Sequence, residues 1–119
     1  MKVIFFNLSE EIDTDINKVF NVLEFSNGLK GDSLNVHHGT YGAMDILGMT
    51  VRLESNSYEF EDKYEYTIFI KENVLSNTRT TESSIQNMAL IIMSTLCANL
   101  SKDIAFENDS QLNIYSEPF

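Results

Sequence analysis

The chain has little of several residue types that stabilise or anchor small proteins. A single cysteine, Cys97, excludes an intramolecular disulfide, and a single proline, Pro118, lies too near the C-terminus to mark a linker. The longest apolar run, at 88–93, is far shorter than the roughly 20 residues of a transmembrane helix. The apolar run near the start of the sequence, at 3–6, is too short for a signal peptide. The sequence therefore predicts one soluble, cytoplasmic domain over residues 1–119.

Basic residues are also scarce. Lys and Arg number 8 against 18 Asp and Glu, which gives a formal net charge of −10 and a pI of about 4.4. DNA, RNA and anionic membranes each need a positive face on a protein that binds them, so the balance argues against all three. It favours a basic protein partner, with simple solubility as the alternative explanation.

The N-terminal part predicts a strand and then a helix. Residues 2–8 form a short apolar and aromatic run, typical of a buried strand. Ser9 offers an N-cap oxygen for the helix that follows, and Gly28 and Gly31 are expected to end it. The apolar stripe of this helix consists of Ile12, Ile16, Val19, Phe20 and Leu23.

Residues 32–73 have the alternating pattern of strands. The apolar positions change parity across 55–57, so a bulge or a break is expected there. Residues 61–63 have the composition of a hairpin tip. The return strand is expected to place one set of side chains on one face, namely Tyr64, Tyr66, Ile68 and Ile70. Phe69 is then an apolar group on a polar face.

A second helix is predicted after the polar stretch 76–81, with Thr80 or Thr81 as its N-cap. Its apolar stripe consists of Ile85, Met88, Ala89, Ile92, Leu96 and Leu100. Four further apolar residues extend this surface almost completely around the helix: Leu90, Ile91, Met93 and Cys97. Such a helix is expected to be largely buried. Four residues of this helix are expected to pack in the core, and a homodimer face is the alternative for them: Met88, Ile92, Met93 and Leu96.

Two short strands are predicted at 103–106 and 112–115, which completes the order β-α-β-β-β-β-α-β-β. Strands that follow one another in runs, with only two helices between the runs, are typical of an α+β fold. The predicted architecture is a two-layer sandwich in which two helices pack on a mostly antiparallel sheet.

No constellation of residues predicts catalysis, a metal or a cofactor. His37 and His38 are adjacent, so on a strand their side chains point to opposite faces and cannot share a metal ion. Cys97 lies in an apolar helix and is expected to be an inert core thiol. The chain has no Gly-x-Ser-x-Gly, Walker or Gly-x-Gly-x-x-Gly motif. The prediction is a protein that is not an enzyme.

Carboxylates and aromatic side chains are interleaved on the predicted middle hairpin, where six acidic residues between Glu54 and Glu72 oppose only Lys63 and Lys71. Rings supply buried contact area, and carboxylates steer a basic partner. The predicted partner-binding residues are Glu54, Tyr58, Glu59, Glu61, Asp62, Glu65 and Phe69. Tyr58 and Phe69 are the predicted anchors, although core packing is the alternative for the tyrosines.

The organisation of the chain resembles small bacterial immunity proteins, in particular those of contact-dependent growth inhibition systems. The likeness lies in the apolar first strand at 3–6, the acidic hairpin, and residues 96–106. In that last segment a buried helix ends, a Lys-Asp pair turns the chain, and an apolar strand leads to an acidic turn. The resemblance implies a cytoplasmic, non-catalytic protein. It would bind the toxin domain of a larger effector, often a C-terminal basic nuclease, and occlude its active site.

Two other functions stay open at the level of sequence. An acidic nucleic-acid mimic would inhibit a phage-defence nuclease by repeating the charge spacing of a phosphate backbone. A small-ligand-binding or enzymatic domain would have a cavity between the sheet and the second helix. Polar residues available to line such a cavity are His38, Asn87 and Ser94.

Overall fold

Seven strands and one complete helix make up the described part of the chain. The computed structural model describes residues 1–7, 18, 29–32, 37–56, 63–99, 104–108 and 111–115. The strands are β1 (Lys2–Phe6), β2 (Leu29–Asp32), β3 (His37–Ile46), β4 (Met49–Ser55), β5 (Tyr66–Glu72), β6 (Ile104–Asn108) and β7 (Gln111–Tyr115), and the helix is α1 (Glu82–Asn99). This is an α+β fold, and the seven strands follow the predicted order. The predicted first helix lies outside the described residues except for Lys18, which is helical.

The strands form one sheet in the order β2-β3-β4-β5-β1-β6-β7. Every neighbouring pair is antiparallel. β1 lies between β5 and β6, with Ile4 opposite both Ile68 and Phe106. Because both faces of this inner strand are covered, its sequence is a continuous apolar run and does not alternate. Residues 3–6 are all buried.

The main core lies on one side of the sheet, called here the near face, where α1 packs against β1 and β5. Alternation in β4 places Met49, Val51 and Leu53 on this face, each at most 2% exposed. The helix contributes Ile85, Ala89, Ile92, Met93 and Leu96. Thr81, one of the two predicted N-caps, directly precedes α1, and its Oγ1 accepts a hydrogen bond of 3.1 Å from the Ser84 N–H.

A second, smaller cluster lies on the opposite side of the sheet, the far face. It consists of Val3, Phe5, Tyr64 and Ala105, with Phe69 partly buried against it. Phe69 therefore shares its face of β5 with the polar residues Thr67 and Lys71, as predicted, but it packs against an apolar cluster that the sequence did not predict. Phe69 lies directly across from Val3 of β1, a central strand that is apolar on both faces.

Tyr64 also departs from its predicted place. It was expected on the same face as Tyr66, but its ring lies 5.9 Å from Phe5 on the far face, whereas Tyr66 packs near Phe6. The two-residue alternation holds only within β5, which begins at Tyr66, and the backbone bends at Glu65.

Two further expectations fail for local reasons, and a third is confirmed. Gly31, predicted to end the first helix, lies within β2, where it pairs with Tyr41. α1 is not buried all round, because Leu90 and Ile91 are exposed. Core packing, which was favoured over a dimer face for the second predicted helix, is confirmed, because Ile92, Met93 and Leu96 are at most 1% exposed.

A tight turn joins β3 to β4 at Leu47 and Gly48. Their φ angles of 52° and 77° are both positive, as a two-residue type I′ hairpin turn requires. The turn packs on the segment that leads into α1, because the Asn73 N–H donates to the Gly48 carbonyl oxygen over 2.9 Å. No helix in the described ranges is long and apolar enough to cross a membrane.

Candidate functional site

The described residues include three of the seven predicted partner-binding positions. Glu54 and Phe69 lie on the far face, and Glu65 is exposed at the bend before β5. The other four positions lie outside the described residues, namely Tyr58, Glu59, Glu61 and Asp62. The structure does not bring Glu54 and Phe69 into direct cross-strand pairing. Glu54 is opposite Thr67, and Phe69 is opposite a residue that the sequence prediction omitted, Arg52.

The far face is organised in two adjacent cross-strand rows that run over β3, β4, β5 and β1. The first row contains Tyr41, Glu54, Thr67 and Phe5. The second row contains Ala43, Arg52, Phe69 and Val3. Side chains in such rows lie about 4.5–5.5 Å apart at Cβ, close enough to interact across strands. Each row passes from partly exposed residues on β3 and β4, which include Tyr41, Arg52 and Glu54, to a buried apolar residue on β1.

Arg52 joins the polar ends of the two rows. Its guanidinium carbon lies 4.0 Å from the ring centroid of Tyr41, a cation–π contact. Its Nε donates to the Glu54 carboxylate over 2.8 Å. The side chains of Arg52 and Glu54 are 34% and 12% exposed. We call the set Tyr41, Arg52, Glu54 and Phe69 the far-face patch.

The charges of the far-face patch cancel, because its guanidinium and its carboxylate are bonded to each other. Charged side chains nearby on the same face are exposed: Asp45 accepts a hydrogen bond of 2.8 Å from the Thr50 hydroxyl, and Lys71 follows Phe69 by two residues. A neutral aromatic centre with charged groups around it has the composition of a protein-binding surface.

Sequence reasoning missed Tyr41 and Arg52, although a signal was present. Residues two apart on a strand share a face, so Arg52 and Glu54 are a predictable ion pair once β4 is assigned. Tyr41 pairs with Glu54 in the unbroken register that runs back from the turn at residues 47–48, and the register shifts only beyond it, between His37 and Tyr41. Its pairing with Glu54 therefore follows from counting back from that turn, once β3 and β4 are assigned as a hairpin.

Two asparagine side chains hold the base of the acidic hairpin. Asn7 donates to the Lys63 carbonyl oxygen over 3.0 Å and accepts from the Glu65 N–H over 2.8 Å. Asn56 donates from its backbone to the Glu65 carbonyl oxygen over 2.7 Å and from Nδ2 to the Tyr64 carbonyl oxygen over 3.0 Å. The two residues that flank 57–62 are thus fixed relative to β1 and to each other.

The described residues offer little for metal or small-molecule chemistry. They contain no group of three or more His, Cys, Asp and Glu side chains able to hold a metal ion. Cys97, the single cysteine of the chain, is buried in the core. Asn87, one of the residues suggested to line a cavity beneath α1, is exposed instead, and Ser94 is half-buried. The side chain of His38 lies outside the described part of the chain.

Comparison with known proteins gives no match. No protein-family model, no curated protein and no solved structure matches the chain.

Proposed function

We propose that the protein is a non-catalytic inhibitor that binds a basic protein partner and occludes its active site. In this proposal the partner is the toxin domain of a larger effector, and the protein acts in the cytoplasm as a bacterial immunity protein. The observation that carries the proposal is the far-face patch, a half-exposed aromatic and arginine surface on an acidic chain.

The composition and rigidity of the far-face patch suit an interface. Tyr, Arg and Phe are enriched where proteins bind each other, and a few such residues commonly supply most of the affinity. Arg52 is already held by Tyr41 and Glu54, so less side-chain entropy is lost on binding. Phe69 rests on the small far-face cluster and keeps part of its surface exposed. It is the described residue best placed to enter a pocket of the partner.

The charge of the chain supplies the second component of the proposal. The far-face patch is neutral, so a net charge of −10 resides elsewhere on the molecule. The acidic residues assigned to partner contact are Glu59, Glu61, Asp62 and Glu65. Carboxylates of this kind raise the association rate with a basic surface and repel acidic proteins. Anchors such as Phe69, which would become buried on binding, lower the dissociation rate.

The proposed architecture has two helices, and it places the predicted first helix, with its N-cap at Ser9 and its apolar stripe from Ile12 to Leu23, on the near face beside α1. Four antiparallel pairings separate β1 from β2, so these two strands are parallel, and β5 and β6 are parallel because both oppose β1. Connections between parallel strands of one sheet are right-handed in about 98% of cases. The connection from β1 to β2 crosses the sheet in one direction, and the connection from β5 to β6 crosses it in the other. Because β1 and β5 also point in opposite directions, both differences cancel. Two right-handed connections of this kind therefore lie on the same face of the sheet.

Burial on the near face supports this arrangement. α1 packs on β1 and β5, yet Met49, Val51 and Leu53 of β4 are at most 2% exposed. A second helix over β4 supplies the missing cover. The same arrangement leaves the far face of β3 and β4 without a helix, which agrees with the half-exposed side chains of Tyr41 and Arg52.

The test is to express the protein encoded by the gene next to this one and to measure its binding by surface plasmon resonance at 50 mM and 300 mM NaCl. Reversing Glu59, Glu61 and Glu65 to lysine is expected to lower the association rate at least about 10-fold at low salt. Phe69→Ala is expected to raise the dissociation rate by about 10-fold or more. Glu82→Lys, which changes an exposed carboxylate at the start of α1, serves as the charge control.

The outcomes separate the proposal from its rivals. Unchanged affinity in the triple variant removes the hairpin from the interface, and unchanged dissociation of Phe69→Ala removes the far-face patch. Binding to a phage-defence nuclease, lost in competition with duplex DNA, favours the nucleic-acid mimic. Binding that leaves the activity of the adjacent gene product intact overturns inhibition.

A further inference from the structure

One side of α1 is exposed and uncharged. Leu90 and Ile91 are 41% and 59% exposed, and Asn87 and Ala98 are exposed as well. No charged residue occurs in the helix after Glu82, although charged residues make up 22% of the chain. At that frequency about four charges are expected in a helix of this length, and exposed helix faces normally carry them. We call this surface, formed by Asn87, Leu90, Ile91 and Ala98, the outer α1 face.

The exposed apolar residues lie at the centre of the helix. α1 spans Glu82 to Asn99, so its midpoint falls between Leu90 and Ile91. When two copies of one helix pack antiparallel about a two-fold axis, the residues at the midpoint meet their own copies. Large apolar side chains at the midpoint, with small or uncharged side chains toward both ends, match that symmetry.

We propose that the outer α1 face is the contact surface of a homodimer, in which two α1 helices pack antiparallel across a two-fold axis near Leu90 and Ile91. A second copy is the occupant that the charge favours. Each copy has a net charge of −10, so two copies repel each other wherever carboxylates face each other. The outer α1 face avoids that repulsion. A basic partner finds no carboxylate on this surface to pair with.

The proposal is independent of the far-face patch and of any toxin. α1 covers the near face, and its inner side is occupied by the core residues Ile92, Met93 and Leu96. Dimerisation through the outer α1 face therefore leaves the core intact. It also leaves the far face of the sheet free, so one dimer would present two far-face patches.

The expected association is weak. A contact formed mainly by two five-turn helices buries less than the roughly 800 Å² per partner of a standard stable interface. We therefore expect a dissociation constant of about 10–100 µM at moderate salt. Salt screens the repulsion between two acidic molecules, so association should tighten as ionic strength rises. Binding to a basic partner should respond in the opposite direction.

The first test is sedimentation velocity of the full chain from 1 to 500 µM, at 50 mM and 500 mM NaCl. The expected result is a monomer–dimer equilibrium that tightens several-fold at high salt. Ile91→Glu should weaken it at least about 10-fold, because two carboxylates then meet at the axis. The matched control is Leu75→Glu, at an exposed leucine outside α1 that is 91% accessible, and it should have no effect.

A second variant keeps the test informative if Ile91→Glu perturbs folding. Ile91→Cys should form a disulfide-linked dimer under mild oxidation faster than Leu75→Cys, since the native Cys97 is buried. A chain that stays monomeric at 500 µM in high salt overturns the proposal. So does a dimer that dissociates with Leu75→Glu but not with Ile91→Glu. Either result leaves the proposed binding of a basic partner unaffected.

Discussion

The two faces of the sheet use the same strands for different purposes. On the near face the core side chains of β1, β4 and β5 are apolar, at most 6% exposed and packed with α1. On the far face the same strands carry a small apolar cluster and, beside it, the Arg52–Glu54 pair. A half-buried ion pair contributes less to stability than apolar residues of similar size. The near face therefore specifies the fold, and the far face retains groups that stability alone does not explain.

The largest expected effect tests this contrast directly. Phe6 on the near face is fully buried, whereas Phe69 on the far face is partly exposed. Phe6→Ala should lower the free energy of unfolding by about 3–5 kcal/mol, because it removes a large ring and leaves a cavity. Phe69→Ala should cost about 1–2 kcal/mol, because less apolar area is lost. Urea denaturation measures both, and equal losses would contradict the contrast.

An intermediate effect is expected where the far-face cluster meets the hairpin. Asn56 is 4% exposed and donates to the Tyr64 carbonyl oxygen over 3.0 Å. Asn56→Ala should lower the free energy of unfolding by about 1–3 kcal/mol, because that acceptor loses its donor in a buried place. Amide hydrogen exchange should rise at residues 63–65. The control Asn87→Ala, at an exposed helical position, should leave stability unchanged or slightly increased.

A smaller effect is expected from the ion pair of the far-face patch. Arg52→Met leaves the Glu54 carboxylate, which is 12% exposed, without its guanidinium partner. The variant should lose about 1–2 kcal/mol of unfolding free energy. R52M/E54Q should recover most of that loss, because the unpaired charge is gone, and a double-mutant cycle measures the coupling. If R52M alone is as stable as the parent, the pair is not part of the packing of this face.

The smallest effect lies outside both faces and should be stabilising. Leu47 has a φ of 52° and is 69% exposed, so it strains the backbone and buries little. Leu47→Asn should raise the free energy of unfolding by about 0.5–1 kcal/mol, because asparagine adopts this conformation more readily. Leu75→Asn replaces an exposed leucine whose φ is not positive, and it should change nothing measurable in thermal unfolding.

Periodicity predicted the near face well and the far face poorly, for a physical reason. Met49, Val51 and Leu53 alternate with polar residues, so their common face is evident from sequence. The far face depends on residues that are distant in sequence. Phe69 packs beside Val3 of β1, and Tyr64, which lies before β5 and next to the bend at Glu65, joins the far-face cluster. Local patterns carry no information about such neighbours.

The candidate site shows the same division. The sequence of the acidic hairpin predicts Glu54 and Phe69 as partner-binding residues, but it does not predict the residues that contact or pair with them, Tyr41 and Arg52. Tyr41 belongs to a third strand, β3, and its pairing with Glu54 becomes evident only once β3 and β4 are assigned as a hairpin around residues 47–48. The exposure of Leu90 and Ile91 was likewise invisible, because a helix apolar nearly all round gives no indication of which side the sheet leaves open.

The turn at Gly48 has a consequence for how this chain can vary among descendants. A Cβ at Gly48 would lie 2.6 Å from the Thr78 carbonyl oxygen and 3.2 Å from the Arg79 carbonyl carbon. Any larger residue there therefore demands a different path for the segment before α1, as well as a positive φ that it adopts poorly. Lineages that lose this glycine should also carry altered lengths or compositions around residues 76–80, so the two segments should change together.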